Sequence, residues 1–445
     1  MICSAEKLVN KIDFIKERFD LGDTIQKVGK VIEVTGLIIK SEGPEVALGD
    51  LVVITSERKA TLCAYAVVAG FQDNLILLTP LETVHDIHPG CKTVVDNSGE
   101  REIPVGNGLK GRILNGLGKP IDNLGPLYTN STNGLHRDCP CPMERTPITD
   151  ALSTGIKAID GFVPLGIGQR MGIFAGSGVG KSTLLGMIAR GSSADVNVIA
   201  LVGERGRELR EFIDKELGYE GMKKTVVVVS TSDQAPPMRV RAALLATRIA
   251  EEFREQGQNV LFLMDSVTRF AMAQREIGLA AGEPPTSRGY TPSVFSMLPQ
   301  LMERTGTNAR GSITALYTVL VEGDDMNEPI ADCVRGILDG HIILDRSLAN
   351  SNHFPAINVL DSVSRLTNTL LDEHQFESVS IAKDWLATYK KNEDLINIGA
   401  YASNANPKID LAIKKNEQIQ EFLKQDSNRL LEREKSLEII QKIVQ

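Results

Sequence analysis

The run Ala175-Gly176-Ser177-Gly178-Val179-Gly180-Lys181-Ser182 constrains what this chain can fold into more than any other stretch. An apolar segment, 170–175, leads into it, and 181–190 has the periodicity of a helix. Glycines at 176, 178 and 180 let the backbone curl until its N–H groups face inward, and the start of the next helix adds partial positive charge. Such a loop, continued by Thr183, cradles phosphates: Lys181 reaches the β- and γ-phosphates and the Ser182 hydroxyl can ligate Mg²⁺. Ala175 stands where a first glycine is usual, a change that matters little if its φ is negative. The pattern requires strand, loop and helix in that order, and the flanking segments supply them.

A loop of this kind calls for a carboxylate at the end of a later buried strand. Asp265 closes the apolar run 260–264 and can hold the Mg²⁺ shell. Hydrolysis of a phosphate chain also needs a group that orients water. Glu204 follows the strand 196–202 and would point to the same cleft, which makes it the candidate base. Positive charge on the transferred phosphate is needed as well, and the spacing of the many arginines does not choose among them.

Around this core, apolar runs alternate with helical patterns from about 154 to 345, the signature of a parallel sheet covered on both faces. Predicted strands are 170–175, 196–202, 225–230, 260–264, 313–321 and 341–344; predicted helices are 181–190, 208–217 and 238–256. Upstream, short Val-, Ile- and Leu-rich runs at 31–39, 51–55 and 74–78 predict a small all-β unit, a barrel. The turn-rich stretch 111–126 predicts a linker. After about 368 strand signals fade, and helices are predicted at 384–391, 407–425 and 428–444, the last with Leu430, Leu437, Ile440 and Val444 on one face. Residues 5–18 form an amphipathic stripe of Leu8, Val9, Ile12 and Ile15, suited to packing on its own domain or docking a partner. The expected division is a helix at 1–22, a barrel at 23–96, the nucleotide-binding unit at 97–367 with a linking part at 97–150, and helices at 368–445.

Length and charge set bounds on this reading. A chain of 445 residues predicts two to four domains. A net charge of -8 speaks against nucleic-acid binding, which needs Lys and Arg to neutralise phosphates. No run of 18 apolar residues occurs, and the N-terminus lacks the apolar region of a secretory signal. The six cysteines read as reduced thiols, because Cys139-Pro-Cys141 has no second pair at zinc spacing.

Several long blocks resemble the type III secretion ATPases, on their flagellar export side, which are relatives of the rotary ATP synthase catalytic subunits. They are IPVGNGLKGRILNGLGKPID (103–122), GIFAGSGVGKSTLLGMIAR (172–190), ALVGERGRELREFI (200–213), the long block 263–306, YTVLVEGDDMNEPIAD (317–332) and HFPAINVLDSVSR (353–365). The resemblance implies an α/β fold: a RecA-like P-loop ATPase core with an N-terminal β-barrel and a C-terminal helical domain. It implies ATP and Mg²⁺ as ligands, and Glu204 as the catalytic glutamate. It places Arg365 as an arginine finger acting on the neighbouring subunit, Arg205 and Arg269 near the phosphates, and Phe354, with Tyr401, on the adenine. A homohexamer follows, in the cytoplasm and peripheral to the inner membrane. Its implied partners are a stator-like regulator on the N-terminal helix, a coiled-coil stalk protein, export substrates with their chaperones, and the membrane export gate. Four rivals remain at this point: a virulence-type type III secretion ATPase, a rotary ATP synthase catalytic subunit, a ring subunit that binds nucleotide without hydrolysing it, and an RNA translocase on the same core.

Overall fold

Alternating apolar residues build the first part of the chain. In the computed structural model, which describes residues 27–56, 61–82, 86–96, 103–129, 131–321, 323 and 325–445, six strands close on themselves. They are β1 (Val28–Thr35), β2 (Ile38–Glu42), β3 (Leu51–Ser56), β4 (Thr61–Gln72), β5 (Leu75–Pro80) and β6 (Lys92–Val95), in the order β1-β2-β5-β4-β3-β6. All neighbours are antiparallel, and β1 pairs with β6 to remove both edges. Val31, Ile39, Val52, Ile54, Ala66, Val68 and Leu78 fill the interior. The stretch 31–39, read from sequence as one segment, is two strands. Gly36, at φ 57°, and Leu37 turn the chain so that Thr35 pairs with Ile38. The predicted helix at 5–18 lies outside the described residues.

The chain divides into two compact units, Met1–Glu100 and Arg101–Gln445. The second is organised by a nine-stranded sheet. Its strands include β7 (Ile113–Asn115), β8 (Arg170–Ala175), β9 (Val196–Glu204), β10 (Thr225–Thr231), β11 (Asn259–Asp265), β12 (Ser312–Leu320), β13 (Gly340–Leu344) and β14 (Ile357–Ser364). The order is β14-β13-β8-β12-β11-β9-β10-β7; all neighbours are parallel except β14 on β13, and the short strand Gly306–Thr307 adds antiparallel to β12. Alternate residues of β9 enter opposite cores: Val198, Ala200 and Val202 on one face, Ile199 and Leu201 on the other. That two-sided burial is why the strands read as continuous apolar runs. The covering helices include α1 (Lys181–Gly191), α2 (Pro236–Glu255), α3 (Val267–Ala280) and α4 (Pro292–Glu303). Neither α3 nor α4 was predicted from periodicity.

The stretch 111–126 is not a linker. Its residues Ile113–Asn115 form the sheet's edge strand β7, paired with β10, and Gly111 N–H donates to Thr225 O at 2.8 Å. The turn residues that suggested a linker instead close a loop back on the strand. Asp122 accepts from both Arg112 Nε (2.7 Å) and Nη2 (3.0 Å) and from the amides of Ile113 and Leu124. Burial alone would raise this carboxyl, but the guanidinium and the two amides hold it down at about 2.

Three C-terminal helices complete the unit: α5 (Glu373–Asn397), α6 (Pro407–Leu423) and α7 (Arg433–Val444). An Asp372–Gln375 capping box starts α5 well before the predicted 384. Val379, Leu386, Phe422, Leu437 and Ile440 share a core with Ile173 and Leu184 of the sheet and α1. The last helix begins at Arg433, not 428, because Asp426 accepts from the Asn428 amide at 2.8 Å and holds a turn. Leu430 therefore follows that turn rather than lying on the helix, and its side chain is 3.2–3.4 Å from where a Cβ on Gly155 or Gly191 would sit.

Candidate active site

The carboxyl ends of β8, β9 and β12 open onto one cavity of about 650 Å³, the place where parallel sheets collect ligands. Gly176, Ser177, Gly178, Gly180, Lys181, Ser182 and Thr183 form one wall. Gly178 (φ 79°) and Gly180 (φ 85°) take the left-handed conformations that turn the loop into α1. Val179, between them, does not line the cavity; its side chain is buried in the core. Ala175 closes β8 and lines the same cavity.

Lys181 stands between two carboxylates. Its ammonium donates to Asp265 Oδ1 and lies 3.5 Å from Glu204 Oε1. Asp265, at the end of β11, also accepts from the Thr318 hydroxyl at 2.8 Å. It touches Lys181 rather than the cavity wall itself. Glu204 is the last residue of β9, which bulges at Gly203 (φ 75°). A Cβ at Gly203 would fall 2.7 Å from Arg269 Cδ, so only glycine lets the Arg269 side chain pass beside Glu204. Arg269 Nε then lies 3.6 Å from Glu204 Oε1. Burial first, and the Asp265 carboxylate next, push the Glu204 carboxyl above its ordinary value, against the pull of Lys181 and Arg269. The arrangement presents a basic carboxylate and an ammonium to a phosphate-sized space.

Arg205 also lines the cavity; it is exposed, with Nη1 3.3 Å from Glu208 Oε1. Arg365, just beyond β14, is elsewhere. It is exposed, it does not line the cavity of its own chain, and among the described residues its guanidinium has no carboxylate partner. The Phe354 ring edge lies 3.4 Å from where a Gly180 Cβ would sit. The ring is 41% exposed and lines a second cavity of about 940 Å³ with Lys157, Phe422 and Asp426. Phe354 O accepts from the Gln425 amide at 2.9 Å, tying the C-terminal segment to the loop. Tyr401 lines neither cavity; its hydroxyl donates to Asn406 O (3.0 Å) and Asp410 Oδ1 (3.2 Å).

Two charged residues of the cavity wall were not among the candidates read from the sequence. Glu208 sits inside the quoted block 200–213, and the i, i+4 step from Glu204 was its only signal. Arg346 follows β13 and reaches the cavity through the sheet order alone, which no local pattern announces. The donor set fits a hard cation: the Ser182 hydroxyl and the Asp265 carboxylate are oxygen ligands of the kind Mg²⁺ takes.

Comparison with known proteins gives the family. The nucleotide-binding domain of the ATP synthase alpha/beta family matches residues 155–364, and the T3SS EscN ATPase C-terminal domain matches 371–442. The chain is 53% identical over 422 residues to a flagellum-specific ATP synthase of Bacillus subtilis, covering 93% of this chain and 94% of that protein. It is 46% identical over 415 residues to a type 3 secretion system ATPase of Xanthomonas euvesicatoria, covering 93% of each. Among solved structures, the assembled ATPase EscN of enteropathogenic E. coli superposes with TM-score 0.88 at 44% identity, over 94% of this chain and 100% of that one. EscN in complex with its central stalk EscO gives 0.85 at 44% identity, again over 94% and 100%.

Proposed function

Because this chain belongs to the ATP synthase alpha/beta family, in its branch of flagellar and type III secretion ATPases, we propose that it hydrolyses Mg-ATP at a site shared between identical subunits of a ring and thereby drives protein export. That it is an ATP-hydrolysing enzyme follows from the family. The shared site rests on one observation above all. Glu204 and Lys181 face one cavity, whereas Arg365 is exposed, outside that cavity and without a carboxylate partner among the described residues.

In this reading the amides of Gly176–Ser182 and the Lys181 ammonium bind the β- and γ-phosphates. Glu204 accepts a proton from the attacking water, and its raised basicity suits that task. Arg269 and Arg205 hold charge beside the γ-phosphate, and Arg365 of a neighbouring copy supplies the finger. Phe354 offers a partly exposed ring to the base. Ser182 and Asp265 would hold magnesium, which would neutralise charge on the phosphate oxygens. The assembled EscN and its stalk complex support a ring that admits a stalk protein. Three flagellar relatives, at 53%, 49% and 47% identity, exceed the 46% of the type 3 secretion relative and favour the flagellar branch, while others stand at 44% and 45%.

The test is purified full-length chain assayed for phosphate release, then expressed in a flagellated strain lacking its own copy. Wild type should release phosphate and restore filament-protein secretion, while Lys181→Ala should lose nucleotide binding and both activities. Failure of the wild type to restore secretion would sink the export role, and secretion restored by Lys181→Ala would sink its dependence on ATP hydrolysis.

A further inference from the structure

After Glu204 the chain passes through a helical segment, Gly206–Glu211, a π-helical turn, Phe212–Leu217, and a second segment, Gly218–Lys223. A π turn gives poorer packing along the axis than an α turn and persists where its shifted register places a side chain usefully. Here the shifted register sets Glu216 against the first turns of α1. The Thr183 hydroxyl donates to Glu216 Oε1 at 2.8 Å. One turn on, Gly186 packs directly beneath: a Cβ there would lie 2.5 Å from Glu216 Cβ and 3.0 Å from its carbonyl oxygen. Phe212 and Leu217, at the two ends of the π turn, enter the same core as Leu184 and Leu185. Glu216 is therefore anchored by packing on both sides of its own hydrogen bond.

The consequence falls on Thr183, which lines the phosphate cavity while Glu216 does not. Thr183 is the third residue of α1, and amides in the first turn of a helix have no intrahelical acceptor, so they are available to phosphate oxygens. We propose that Glu216 is a positioning residue for nucleotide: by holding the Thr183 hydroxyl it fixes the first turn of α1 so that the Thr183 amide meets the phosphate chain. The inference rests on the Mg-ATP reading of the cavity. It makes the segment that follows Glu204 and carries Glu208 also the clamp on the loop they serve.

The experiment measures binding of a fluorescent ATP analogue with Mg²⁺, together with steady-state ATP hydrolysis, on the full-length chain. Glu216→Ala should raise Kd and KM about fivefold, the size of one ordinary lost hydrogen bond, and leave kcat within about twofold, and Thr183→Val should raise Kd and KM by the same factor. The double variant should be no worse than either single one, because both remove the same bond. Glu216→Gln keeps an acceptor and should restore wild-type KM. Unchanged KM in Glu216→Ala, full additivity in the double variant, or a Gln variant as weak as Ala would each overturn the proposal. If Glu216→Ala does not fold, Thr183→Val against Glu216→Gln decides: weak binding in the first with normal binding in the second supports it, and any other pair of results overturns it. Failure of the wild type to bind Mg-ATP would overturn the cavity reading itself, whereas wild-type binding matched by Glu216→Ala overturns only the positioning role.

Discussion

Two groups of buried charge in the second unit are built on opposite logic. Around Glu251, which is 0% exposed, Arg304 closes a fork on both carboxylate oxygens at 2.7 and 2.9 Å. Arg254 donates to Arg304 O at 2.9 Å, and Arg248 Nη1 stands 3.6 Å from Glu251. Around Glu204 the two cations sit at 3.5 and 3.6 Å, the carboxyl is pushed above its ordinary value, and the group opens on a cavity. A short bidentate fork spends its hydrogen-bonding capacity inside the protein and fixes structure. A cluster with longer contacts beside a cavity keeps capacity for a ligand and a proton.

The comparison can be broken by substitution. The largest effect should come from outside both clusters: Arg365→Ala should retain nucleotide binding and lower kcat by about 10³–10⁵, the worth of an arginine finger. A kcat within a factor of ten of wild type would remove Arg365 from the site. Next, Glu204→Gln should bind Mg-ATP and lose about 10²–10⁴ in kcat. A glutamate that must be ionised to act as base, with its pKa raised, loses activity as pH falls through that raised value. The acid limb of kcat/KM should therefore lie above the pH of an ordinary glutamate, and Glu204→Gln should flatten it. Glu251→Ala belongs to the other class. It should cost about 3–5 kcal/mol of stability by stranding Arg304, with kcat per folded molecule unchanged. A variant that melts like wild type but hydrolyses slowly would erase the distinction drawn here. The smallest change, Asp122→Asn, keeps size but weakens the clasp on Arg112; chemical denaturation should show a loss of about 1–3 kcal/mol.

What was legible in the sequence follows the same divide. Asp265 and Glu204 each close a strand and Lys181 opens the helix after a glycine-rich loop, so local pattern pointed to them before any tertiary contact was known. Arg365, Arg269 and Phe354 were reached only through resemblance, since nothing in their neighbourhoods states what they face. Arg346 and Glu216 were not reached at all: the first depends on β13 lying beside β8, the second on a π turn. The stretch 111–126 misled because glycine and proline mark turns whether a chain leaves a domain or folds back to edge its sheet, and the Arg112–Asp122 fork that decides between these is a side-chain event.

In the proposed mechanism one catalytic site draws on two copies of the chain. Mixing Glu204→Gln with Arg365→Ala and measuring ATP hydrolysis in verified mixed rings tests it most directly. Some interfaces then join an intact Glu204 to an intact Arg365, and activity should rise above that of either variant alone. Mixed rings no more active than the separate variants would contradict a shared site.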